Sequence, residues 1–76
     1  MNWDLAMMAL EGLTRSPISV RRDGDEIVIE GAPAGMKELA RLCLLIAGEG
    51  SGDDAFELQR GVHVTPESAL LRLRLT

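Results

Sequence analysis

His63 is the only histidine of the chain and stands between two valines in "GVHV". An imidazole suits general acid–base work near neutral pH, but that chemistry needs a second positioned group within hydrogen-bond reach. The sequence fixes no such partner. Read as a strand, residues 62–64 point Val62 and Val64 one way and His63 the other, towards solvent or a partner if the valines face a core. Cys43 is the only cysteine. A nucleophilic thiol needs an exposed site that lowers its pKa, whereas the helical position of Cys43 assigns it to a core face, where it acts as a small hydrophobe.

"GEGSG" at residues 48–52 has the glycine content of a phosphate loop. Such loops follow a strand and open a helix, and the nucleotide-binding version carries a lysine. This one follows a helix, lacks the lysine, and brings Glu49, Asp53 and Asp54, which repel phosphate. A flexible connection is the better account. "DGDE" and "GDD" offer carboxylates without the ligand spacing of a calcium loop. No Cys/His group has zinc spacing. No catalytic, metal-binding or cofactor-binding residue is therefore assigned, no cofactor is expected, and a non-enzymatic protein is. The rival reading, a small-molecule or metal-binding protein, centres on His63. Arg60, Arg72 and Arg74 remain as positive groups, and arginine is enriched where protein partners bind tightly.

The elements that would position these residues follow from periodicity. "NWDLAMMALEGL" places Trp3, Ala6, Met7, Leu10 and Leu13 on one helical stripe, with Asn2 as cap, Asp4 near the positive dipole end and Gly12 as a stop. This predicts a helix over about 3–12. "SPISVRRDGDEIVIEG" alternates through Ile18 and Val20, turns at Asp23-Gly24, and resumes through Ile27 and Ile29. That is a hairpin of roughly 18–22 and 26–30, with Arg21, Arg22, Asp25 and Glu26 facing each other across the turn.

Pro33 opens a second helix that runs to about Ala47, with Gly48 ending it. One face collects Met36, Leu39, Ala40, Cys43, Ile46 and Ala47, and this face is expected on the sheet. Gly35 is unusual so near the start. Leu42 and Leu45 fall outside that face, beside Arg41 and Glu38, and need a cover: either the N-terminal helix or a second protein. Towards the end, Phe56/Leu58 and Val62/Val64 read as strands with Gly61 between them, and "SALLRLRLT" puts Ala69, Leu71, Leu73 and Leu75 opposite Arg72 and Arg74. The sum is one α+β domain spanning residues 1–76. It is expected to have an antiparallel sheet of four to five strands with the main helix (about 33–47) and the N-terminal helix (about 3–12) packed on it.

Composition narrows the function class. Hydrophobic residues make up 46% of the 76-residue chain before its eight glycines are counted; roughly 45–50% with glycine included is usual. A chain this short buries only about 60% of its unfolded surface, so part of the excess is expected outside as a docking patch. Eight basic against twelve acidic residues give a net charge of −4, and only Trp3 and Phe56 are aromatic, so nucleic-acid binding is disfavoured. No secretion signal or membrane-spanning run is expected, which points to a cytoplasmic protein.

"IVIEGAPAGMKELARLCLLIAGEG" followed by "GVHVTPESALLRLRL" resembles the immunity protein 32 family of small bacterial proteins associated with polymorphic toxins. The likeness lies in an apolar strand, Gly31-x-Pro33-x-Gly35-Met36, Glu38-Leu39-Ala40 opening a helix, a strand carrying His63, and a last alternating strand. It covers about residues 26–75. The resemblance implies a protein that binds and neutralises a toxin. The expectation is thus an interaction module, with a protein partner or a second copy in a homodimer, no nucleic acid and no membrane. Leu42, Leu45, Arg60, His63, Arg72 and Arg74 are the candidate contact residues.

Overall fold

A computed structural model describes residues 1–76. Its elements in chain order are helix α1 (Trp3–Arg15), strands β1 (Ser19–Asp23) and β2 (Glu26–Glu30), helix α2 (Pro33–Glu49), and strands β3 (Ala55–Leu58) and β4 (Leu71–Arg74). The class is α+β, but the strands form two separate antiparallel ribbons, β1–β2 and β3–β4, rather than one sheet of four to five strands.

α1 starts as its sequence predicts: the Asn2 side chain accepts a hydrogen bond from the Leu5 N–H at 3.2 Å, and Asp4 lies in the first turn. It does not stop at Gly12 but continues to Arg15. Gly12 lies in the buried face, where a Cβ would lie 2.6 Å from the Glu38 side chain and displace it. The buried face is Ala6, Ala9, Gly12 and Leu13, turned away from the expected stripe, and Trp3 and Met7 are more than half exposed. Small residues win this face because α2 packs closely against it.

α2 buries Gly35, Leu42 and Ile46, with Leu39 and Leu45 half-buried. The predicted core face is therefore corrected. Met36, Ala40, Cys43 and Ala47 point outward, and Leu42, expected outside, is fully buried. Gly35 explains the choice: a Cβ there would sit 2.4 Å from the Ser16 carbonyl oxygen, so only glycine lets the first turn of α2 approach the chain leaving α1. Pro33 occupies the first turn as expected, and the helix ends two residues late, capped by Gly50.

In the hairpin, Val20 pairs with Ile29 and Arg22 with Ile27. The two-residue connection Gly24-Asp25 has positive φ only at Gly24 (+60°), the φ pattern of a type II′ turn. Arg21 pairs with Glu30 at 2.8 Å and Asp23 at 3.5 Å, not with Asp25 or Glu26. Val20 and Ile29 face the core, while Ile27, nearer the tip, is exposed.

A polar seam replaces the missing sheet. The Ile18 N–H donates to the His63 carbonyl, the Thr65 N–H to Ile18, and the Ala69 N–H to Val20. The Val20 N–H instead donates to the Ser68 hydroxyl at 2.9 Å. A side chain standing where a strand carbonyl would be breaks the ladder at that point. The expected strand at Val62–Val64 is also corrected: the Gln59 carbonyl accepts from the N–H groups of Val62, His63 and Val64, closing a turn around Gly61. Val64 enters the core and Val62 leaves it. No helix is long and apolar enough to cross a membrane.

Candidate interaction surface

The sequence-predicted contact residues do not converge. Leu42 is sealed between the helices and the core, and Leu45 is half-buried beside it, so α1 is the cover that the sequence left open. Arg60 donates through Nε to the Ser68 carbonyl at 2.7 Å, holding the turn against the seam. Arg72 and Arg74 share the exposed side of β4, and Arg72 pairs with Glu57 directly across the ribbon.

His63 is half-buried, and its Nδ1 accepts the Gln59 N–H at 3.1 Å. Burial lowers its pKa below the ordinary 6.5. Protonation would also turn that nitrogen into a donor and lose the bond. The imidazole thus serves the turn. No group of three or more Cys, His, Asp or Glu side chains lies together as a metal site would require. Cys43 is exposed, against the core position expected for it, because the buried face runs through Leu42 and Ile46 instead.

The largest concavity lies elsewhere, along the outside of the α1–α2 pair, with a volume of about 610 Å³. Its floor holds Leu5, Met8, Ala9, Leu44 and Leu45, and its rim holds Glu11, Arg15, Glu38, Arg41 and Glu49. The floor is wet: Leu5 is 47%, Met8 63% and Leu44 73% exposed. On the rim only Glu38 and Arg41 form an ion pair; Glu11, Arg15 and Glu49 have no charged partner within the chain.

The helices produce this groove because both carry apolar residues beyond the face that they bury against each other. On α1, Leu5 and Met8 flank the small face of Ala9 and Gly12. On α2, Leu44 and Leu45 flank Leu42. Sequence reasoning recognised the surplus on α2 but named Leu42 in place of Leu44. The glycines mark the two approaches that accompany the groove: Gly12 faces the Glu38 side chain of α2, and Gly35 faces the Ser16 carbonyl just past α1. The accessible surface of the whole molecule is 5025 Å², roughly a tenth above the ~4,500 Å² that mass scaling gives for 8.2 kDa.

No protein-family model matches the chain, and no curated protein or solved structure is significantly similar to it.

Proposed function

We propose that this protein works by docking, as a small non-enzymatic interaction module whose binding surface is the α1–α2 groove. The observation that carries this reading is the groove's make-up: three large, exposed apolar side chains, Leu5, Met8 and Leu44, inside a rim of charges that are mostly unpaired. An apolar centre with a polar rim is the usual anatomy of a protein interface. The immunity-like form of the reading, in which the partner is a bacterial toxin, is supported by the resemblance of residues 26–75 alone. The alternative centred on His63 draws no support from the geometry, since Nδ1 is already engaged by the turn.

Leu44→Glu tests the reading, because this exposed residue can change without unfolding the chain. The wild type is expected to sediment as a species heavier than one chain at micromolar concentration, or to bind and protect cells against a toxin domain encoded beside it. Leu44→Glu is expected to remove that association, and with it the concentration dependence of the melting temperature, while the far-UV circular dichroism of the folded chain stays the same. A protein that neither self-associates nor binds such a toxin, or whose association ignores Leu44→Glu, would overturn it.

A further inference from the structure

We infer that the occupant of the groove is a second copy of this chain, packed groove to groove about a two-fold axis that passes Leu45 at right angles to the Arg41–Leu45–Glu49 row of α2. This rests on the docking reading above and adds both partner and register.

The rim supplies the argument. Arg41, Leu45 and Glu49 follow one another at intervals of four residues, so they form a row inclined by about 26° to the α2 axis, and all three line the groove. A positive group thus lies one turn to one side of Leu45 and a negative group one turn to the other. Rotation about an axis across the helices exchanges the ends of each row. Arg41 of each copy then meets Glu49 of the other, two intermolecular pairs per dimer, and the paired α2 helices run in opposite senses at a crossing angle of about 50°, which also largely opposes their dipoles. A two-fold axis along the helices would not exchange the ends, and the row's charges would miss their opposites. Glu49 has no charged partner in the single chain, and Arg41, though paired with Glu38, keeps 62% of its side chain exposed.

The apolar content fits the same operation. Self-packing is isologous, so Leu5, Met8 and Leu44 are each covered twice.

The register can be read by charge reversal. Glu49→Arg alone and Arg41→Glu alone place like charges opposite each other in their own homodimers, and each is expected to weaken self-association by roughly three- to thirtyfold. Mixing the two variant chains makes both pairs attractive again, so a heterodimer with near wild-type affinity is expected by sedimentation and native mass spectrometry. Cys43 is the built-in control: it lies about 160° around α2 from Leu45, so a short bismaleimide is expected to leave the native dimer uncrosslinked.

Variant homodimers as tight as the wild type, no preference for the mixed dimer, or ready crosslinking through Cys43 would overturn this arrangement while leaving the docking reading standing. A wild type that stays monomeric to hundreds of micromolar yet binds a toxin in a Leu44-dependent way would also overturn it and keep that reading. A monomer that binds nothing would remove both.

Discussion

Two sides of α2 carry large apolar residues and meet different fates. The side through Gly35, Leu42 and Ile46 is buried against α1 and the core, while Met36, Ala40, Cys43 and Leu44 look outward. Hydrophobic periodicity cannot separate them, because residues at helical spacing exist on both. What separates them is the neighbouring backbone. Gly35 lets one side of the helix meet the Ser16 carbonyl, and the side chains on that side become core. On α2, a glycine at a close backbone approach, and not the number of large apolar residues, sets which leucine is buried.

The sharpest way to break this comparison is a pair of matched truncations. Leu42→Ala removes a fully buried side chain and is expected to cost about 2–5 kcal/mol, enough to unfold much of a domain this small. Leu44→Ala, two residues on, is expected to change the monomer by less than about 0.5 kcal/mol. Urea denaturation of both checks this, and equal losses would show that the outer side is not outside.

The glycines of the same helix give a second contrast. Gly35→Ala forces a Cβ against the Ser16 carbonyl and is expected to destabilise by about 1–3 kcal/mol despite the better helix propensity. Gly48→Ala meets nothing within 4 Å and is expected to stabilise by about 0.5–1 kcal/mol. Thermal melts that move the same way for both would break the account of orientation by close approach.

Away from α2, the core is closed by polar groups, which sharpens the point that apolar pattern is not the only organiser. Ser68→Ala leaves the buried Val20 N–H without its acceptor and is expected to cost about 1–3 kcal/mol in the same denaturation assay. Smallest is the response of His63. Its pKa in the folded chain is below the ordinary 6.5 because of burial, so the unfolded chain takes up the proton more readily. Stability from this group is full above pH 6.5 and declines as the pH falls through the window beneath it. His63→Gln is expected to flatten that slope in melts between pH 7 and 5.

Much of the local structure was legible. Alternation and Asp23-Gly24 located the β1–β2 hairpin to within a residue, Asn2 and Pro33 marked both helix starts, and the strict period of two in "LRLRL" placed Leu71 and Leu73 inward with Arg72 and Arg74 outward. Tertiary placement was not legible. Gly12 reads as a stop because glycine weakens helices, yet here it answers a neighbour distant in sequence. Val62 and Val64 alternate like a strand, but the Gln59 carbonyl gathers three N–H groups and turns the segment. The join between the ribbons fails as a sheet because Ser68 bonds to Val20 through its side chain, which no periodicity reports. The groove was half legible: surplus leucines were visible, but not which of them α1 would cover.

The close approach of Gly35 to Ser16 also bears on how the chain finds its fold. The two positions bracket the β1–β2 hairpin, so their meeting closes a loop of about twenty residues, a modest entropic step. Hairpins form within microseconds, and this one draws the end of α1 towards the start of α2 before any helix docking. The order expected from loop length is hairpin first, helix pair second, with the β3–β4 ribbon and its serine stitch last, and high φ-values at Val20 and Ile29 with low ones at Ser68 would show it.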